Sequence, residues 1–239
     1  MTGLPEVMPG DDLAGMLARL CQAQGVGPGD ILAVAQKVVS KAEGRVVELA
    51  AVIPGAAALD LAEQTGKTPQ LCELILTESR RIVRRRGATL ICETHHGFVC
   101  ANAGIDSSNA TEGTVILLPV DADRSARRLQ AAVSAAVGGR VGLIITDTHG
   151  RAFRRGLVNV ALGVAGFDAV QDRRGERDRN GRVLVATEQA LADELAAASG
   201  VLMSKDSGHA VVVIGGVPTA PAPGTATELI REPHHDLFR

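Results

Sequence analysis

The stretch Val141-Gly-Leu-Ile-Ile-Thr146 is apolar almost throughout and then turns polar at once, into Asp147-Thr-His-Gly-Arg151. A short continuous apolar run of this kind reads as a buried strand. Residues 31–35, Ile-Leu-Ala-Val-Ala, repeat the pattern, entered through Gly29-Asp30 and followed by Gln36, Lys37, Ser40 and Lys41. In open α/β sheets ligands bind beyond the carboxyl ends of strands, so both polar exits are candidate site edges. The chain must also fill a core: 46% of its 239 residues are hydrophobic, enough for one large domain or two small ones.

Helical stripes lie between the strands. Leu13, Met16, Leu17 and Leu20 mark a helix over 12–23, and further helices are expected over 125–136 and 188–199. Thr187 is a suitable N-cap for the last of these, with Glu188 in its first turn. Leu71, Leu74, Ile75 and Ile82 predict another helix, whose later turns would carry Arg80, Arg81, Arg84, Arg85 and Arg86. Cations near a helix C-terminus complement its dipole, and the same cluster could also meet an anionic ligand. Other strands are expected at 88–92, 114–118, 183–186 and 210–214, and the Pro-rich stretch 217–227 reads as a turn. No 20- to 50-residue repeat interrupts this order. The fold class is mixed α/β.

Composition removes several functions. A net charge of −2 argues against general nucleic-acid binding. Aromatics make up 2%, all of them Phe98, Phe153, Phe167 and Phe238, too few for a base-stacking surface. Cys21, Cys72, Cys92 and Cys100 form no CxxC pair and no zinc spacing, so free thiols in a reducing cytoplasm are expected. The N-terminus does not read as a signal peptide, and no apolar run reaches the roughly 18 residues of a membrane span. Phosphate-loop, GxGxxG, HExxH and GxSxG motifs are all missing.

Chemistry gathers in two segments. Residues 92–109 place His95, His96, Asn102, Asp106 and Asn109 among small residues and glycines. Asp106 and Asn109 are three apart, close enough for one loop to aim both at one ligand, although a polar Asx turn would also use an Asp there. The second segment sets Asp147 and Thr148 after a buried strand, with His149 next to them and Arg151, Arg154 and Arg155 close behind. Two Asp carboxylates and a Thr hydroxyl form an all-oxygen set suited to Mg²⁺ or Mn²⁺, and nearby arginines suit phosphoryl transfer.

Ala35-Gln-Lys-Val-Val-Ser-Lys-Ala-Glu-Gly44, Ala101-Asn-Ala-Gly-Ile-Asp-Ser-Ser-Asn109 and Ile145-Thr-Asp-Thr-His-Gly-Arg151 together resemble the coenzyme F420-0:L-glutamate ligase family. Gly3-Leu-Pro-Glu, Pro9-Gly-Asp-Asp12, Leu117-Leu-Pro-Val-Asp121, residues 187–198 and the closing Asp236-Leu-Phe-Arg extend the likeness in order along the chain. The resemblance implies one domain over 1–239 with a γ-glutamyl ligase-like fold: mixed sheets, flanking helices, an intertwined homodimer. The likeness is to the stand-alone form of the family, so no C-terminal flavin-binding domain of the kind fused to some relatives is expected.

The activity implied is GTP- and metal-dependent addition of L-glutamate to coenzyme F420-0, first at the lactyl carboxylate and then through a γ-linkage. Mg²⁺ or Mn²⁺ would serve as the metal, with K⁺ as an aid. Carried over by position, Leu4, Pro5, Glu6, Val7, Gln36, Lys41 and Asn109 contact the nucleotide. The loop Met203, Ser204, Lys205, Asp206, Ser207, Gly208, His209 and Ala210 wraps around it. Asp106 and Asp147 hold the first metal, Thr148 the second, and Lys41 meets phosphate. Some relatives place a Gln on the second metal where this chain has Lys205, an ammonium with no acceptor; Asp206 could substitute, or Lys205 could neutralise charge there. Two other readings fit the same residues: a metal-dependent phosphohydrolase using Asp106 and Asp147, and a protein that binds guanine nucleotide without consuming it.

Overall fold

The two apolar runs lie side by side. In the computed structural model, β1 (Ile31–Ala35) pairs in parallel with the run that begins at Gly142, Leu32 lying opposite Leu143 and Val34 opposite Ile145. The structure describes residues 1–108, 110–204 and 208–237. Around β1 the first half of the chain forms α1 (Leu13–Ala23), α2 (Gln36–Ala42), β2 (Val46–Glu48), α3 (Ala56–Thr65) and α4 (Pro69–Thr77). Next come β3 (Ser79–Arg86), β4 (Thr89–Thr94), β5 (Val99–Ala101) and β6 (Thr114–Ile116). The second half adds α5 (Ala122–Val137), β7 (Gly142–Gly150), β8 (Leu157–Ala165), β9 (Gln171–Asp172), β10 (Glu188–Gln189), α6 (Leu191–Gly200) and β11 (Val211–Ile214).

The central sheet has the order β11-β1-β7-β8, and only β1 and β7 run parallel in it. Successive strand residues face opposite sides. Leu32, Val34, Leu143 and Ile145 therefore pack with Leu13 and Leu17 of α1 and Leu129 and Val133 of α5. Ile31 and Ile144 point the other way, onto Phe167 and onto Leu191 and Leu195 of α6. Both faces are covered, which is why these strands are continuously apolar in sequence. Each large side chain buried this way contributes about 1.5–3 kcal/mol.

Helix starts are fixed by side chains. Asp12 accepts from the Gly15 amide at 3.0 Å, and Asp121 accepts from the Arg124 amide at 2.8 Å. The start of α5 also lies hard against β8: a Cβ on Gly163 would come within 2.4 Å of the Ala122 carbonyl oxygen. A second layer packs α3 and α4 on the antiparallel sheet β3-β4-β5 around Leu61, Cys72, Ile75, Leu90 and Cys92. The four cysteines are buried and free, and among the described residues no helix is long and apolar enough to cross a membrane.

Several expectations need correction. The helix expected to run through Ile82 stops at Thr77, and Arg80, Arg81, Arg84, Arg85 and Arg86 lie on strand β3. The Ser79 hydroxyl donates back to the Ile75 carbonyl at 2.5 Å, and Ile82 pairs with Cys92 of β4, so the arginines answer no helix dipole. The stretch 183–186 is loop, tied to residues 175–177 by an isolated bridge between Val183 and Arg177 and by backbone hydrogen bonds of Leu184. Thr187 caps nothing: Glu188–Gln189 pairs with β9 and delays the helix, whose N-cap is Ala190 without a side-chain bond. Finally, β7 does not end at Thr146; it runs on to Gly150, so Asp147, Thr148 and His149 stand on the strand.

Candidate functional site

Parallel pairing makes β1 and β7 point toward the same edge of the sheet, and a cavity of about 380 Å³ lies there. Ala35, Gln36 and Lys37 come from the passage of β1 into α2, and Thr146–Gly150 from the outer half of β7. Asn159 of β8, Met203 and Ser204 after α6, and Gly208, His209 and Ala210 before β11 complete that side. Cys100, Asn102, Asp106 and Ser108, carried by β5 and the turn after it, line the cavity as well. The two polar segments singled out from sequence thus share one cavity.

Asp106 is held by its backbone, which exchanges hydrogen bonds with Ile116 of β6 at 2.9 and 2.8 Å. Its Oδ1 accepts from the Ser108 amide at 2.6 Å, and its Oδ2 from the Ser108 hydroxyl at 2.8 Å and the Lys37 ammonium at 3.1 Å. The first of these closes an Asx turn, so the structural use of this Asp and its exposure to the cavity coexist. Burial pushes the carboxyl pKa upward, but the Ser108 bonds and the Lys37 charge outweigh it and hold Asp106 below the usual value. It is ionised at neutral pH.

On the facing strand a bulge sets the aim. Ile145 pairs with Gly163 but Thr146 with Ala161, so β8 carries an extra residue just before Asp147 is reached. Bulges re-aim side chains beside functional sites. Asp147 Oδ2 lies 3.5 Å from His149 Nε2, and the Thr148 hydroxyl donates to Asn159 Oδ1 at 2.9 Å. That donation leaves the Thr148 oxygen lone pairs for another partner.

Buried polar atoms without hydrogen bonds collect here. Gln36 Oε1, Asn102 Oδ1 and Thr146 Oγ1 are all buried, unpartnered and on cavity residues, and His149 Nε2 has only the long contact with Asp147. Leaving such an atom unpaired costs roughly 1–3 kcal/mol, which a ligand would recover. Asn102 and Ala103 are held at φ of 50° and 55°, a left-handed conformation that non-glycine residues adopt at a cost. Among the described residues no three His, Cys, Asp or Glu side chains converge as a metal set. Two carboxylates with neutral oxygens nevertheless fit Mg²⁺, which commonly takes one or two carboxylates and completes its shell with water and substrate phosphate.

The other sequence candidates divide by place. Gln36, Asp106, Asp147, Thr148, Met203, Ser204, Gly208, His209 and Ala210 line the cavity. Lys41 does not: its ammonium lies 3.5 Å from Glu6, on the N-terminal segment where Val7 is buried in the core and Leu4 packs against it. Leu4, Pro5, Glu6 and Val7 are likewise outside the lining, so these nucleotide candidates form a neighbouring patch with Lys41. Asn109, Lys205, Asp206 and Ser207 lie outside the described residues. Arg151, Arg154 and Arg155 sit on the exposed turn after β7 and line nothing here, because the strand carries them past Asp147 by about 3.3 Å per residue. His95 and His96 bond to the backbone carbonyls of Thr77, Pro119 and Val120 and serve the fold.

Sequence reading gave Lys37 and Asn102 no specific role and passed over Asn159. The usable signal for Asn159 was a lone amide in the apolar run Leu157–Ala165. No local pattern marked Lys37 above Lys41.

A mixed α/β fold in which β7 and the turn after β5 each bring a carboxylate, with several unpaired oxygens, to one cavity defines a small-molecule site suited to a cation and its anionic partner. The comparisons agree with that class and narrow it: the chain belongs to the F420-0:Gamma-glutamyl ligase family, which it matches over residues 3–216. It is 45% identical to the Coenzyme F420:L-glutamate ligase of Methanothermobacter thermautotrophicus over 242 residues, covering 99% of this chain and 96% of that protein. The Methanopyrus kandleri protein of the same name is 46% identical, over 98% of this chain and 94% of its own length. The Archaeoglobus fulgidus one is 39% identical, over 99% and 94%.

Proposed function

We propose that this chain is a GTP-dependent ligase that joins L-glutamate to coenzyme F420-0, acting in the cytoplasm as a homodimer with residues 1–239 as one catalytic domain. The observation that carries the reading is the meeting of Asp106 and Asp147 in one cavity rich in unpaired oxygens, in a chain of this family. Asp106, Asp147 and Thr148 would hold Mg²⁺ or Mn²⁺, with K⁺ assisting. A bound divalent cation supplies charge neutralisation and alignment for the γ-phosphoryl group.

The chemistry follows from the substrate. A free carboxylate has no leaving group, so its oxygen first attacks the γ-phosphorus of GTP, the bond to the β–γ bridging oxygen breaks, and GDP leaves. The amine of glutamate then attacks the acyl carbon, the C–O bond to phosphate breaks, and the amine gives up a proton. No enzyme nucleophile is required, in keeping with the absence of a nucleophile motif. A second glutamate, joined by its amine to the γ-carboxylate of the first, would use the same two steps.

The test is product mass after incubation with F420-0, GTP, metal and L-glutamate. The expected result is an increment of one glutamate residue, with GDP release that needs both glutamate and the carboxylate acceptor. Free-running GTP hydrolysis would overturn the reading in favour of a phosphohydrolase. Binding without turnover would favour a nucleotide-sensing protein.

A further inference from the structure

We propose that Lys37 occupies the place of the divalent cation at Asp106 and, once the cation arrives, swings to the phosphate being transferred. This rests on the reading of the cavity as a GTP- and metal-using site. Lys37 Nζ lies 3.1 Å from Asp106 Oδ2, and both side chains are only a quarter exposed. The Asp106 carboxylate is already crowded, because Ser108 binds both of its oxygens and shares Oδ2 with Lys37. Both lone pairs of Oδ2 are taken, one by the Ser108 hydroxyl and one by Lys37, so a cation coordinated there takes the place of the ammonium.

The displaced group has somewhere to go. Lys37 lines the same cavity as Asp147 and Thr148, on a four-carbon stem that begins one residue after Gln36. Lys37 offsets the negative charge of Asp106 in the cavity until the metal does. Its point charge is then available where phosphoryl oxygens gain negative charge. No other described lysine lines this cavity: Lys41 is engaged by Glu6 outside it, and Lys67 lies after α3. Asp106 is therefore both the metal's ligand and the lysine's resting partner.

The proposal predicts effects of opposite sign. In Mn²⁺ titrations of the full chain followed by electron paramagnetic resonance, without nucleotide, Lys37→Gln should tighten Mn²⁺ about threefold, on the scale of a part-exposed ion pair. With Mn²⁺ saturating, the same variant should bind GTP about tenfold more weakly, as expected for a lost charged hydrogen bond. Lys37→Arg, which keeps the charge, should leave the Mn²⁺ affinity near that of the wild type. The wild type gives an independent readout that needs no variant. Acylation of Lys37, read by mass spectrometry, should rise when Mn²⁺ is added alone and fall when GTP joins it. Unchanged or weaker Mn²⁺ binding in Lys37→Gln, or Lys37 labelling indifferent to both additions, would overturn the proposal. A wild-type chain that binds neither Mn²⁺ nor GTP would instead remove the ligase reading beneath it.

Discussion

Asp106 and Asp147 reach the cavity from different elements, one from a turn fastened to β6 and one from the outer half of β7. If they share one cation, losing either carboxylate removes the same binding event. Asp106→Asn and Asp147→Asn should each cost at least about tenfold in metal affinity. The double variant should be little worse than either single one, since groups acting as a unit are not additive. Calorimetric titration of Mn²⁺ with GTP present reads this directly, and fully multiplicative losses would mean two separate roles. Both aspartates were legible because a carboxylate among small residues, close to an apolar run, has few structural uses. Thr148's partner was not. Its hydroxyl meets Asn159 only because β7 and β8 pair Thr148 with Asn159, and register across a bulge is not written in either strand alone.

At the scale of elements, the strands covered on both faces were the easiest to read, and the helix–strand boundary near Glu78 the hardest. Leu71, Leu74, Ile75 and Ile82 keep helical spacing across a junction that contains no Gly or Pro, so periodicity alone carries the helix too far. Helix α3 escaped notice because its buried face sets Ala58 and Ala62 beside Leu61 and Thr65, and alanines mark a helix weakly by contrast. The contact of α5 with β8 offers a sharp test. Gly163→Ala would drive a methyl onto the Ala122 carbonyl, a backbone atom that cannot rotate away, so unfolding measurements should show a loss of about 1–3 kcal/mol. Helix α6 supplies another. Burial raises the Asp193 pKa above the ordinary 3.8 of an aspartate, although the Ala161 amide and the charge of His149 oppose this. The folded state therefore binds that proton more tightly than the unfolded chain. Stability from this group is fully present below about pH 3.8 and is lost as pH rises through the higher folded value. Asp193→Asn should keep the acceptor for Ala161 and abolish this pH-dependent loss, so denaturation curves of the two proteins should diverge across that window in favour of the variant.

The whole molecule poses the question of its own surroundings. Leu157 lines the site cavity and is nevertheless 67% exposed, and Val185, in the loop between β9 and β10, is 82% exposed. Single exposed apolar residues are ordinary, but one at the rim of a polar cavity leaves that rim open to water. Water at the rim would threaten an acyl phosphate, which hydrolyses if it is not shielded until the amine attacks. A second copy of the chain packed over this edge would answer both features, and the homodimer proposed above supplies one. Sedimentation velocity at micromolar concentration should then give a species of twice 24.7 kDa, and the melting temperature should rise with protein concentration by mass action. Leu157→Asp places a charge at the proposed contact and should shift the population toward the monomer while leaving the isolated fold intact. A lone 24.7 kDa species, with a melting temperature indifferent to concentration, would remove the dimer and leave the cavity rim to be shielded by the chain itself.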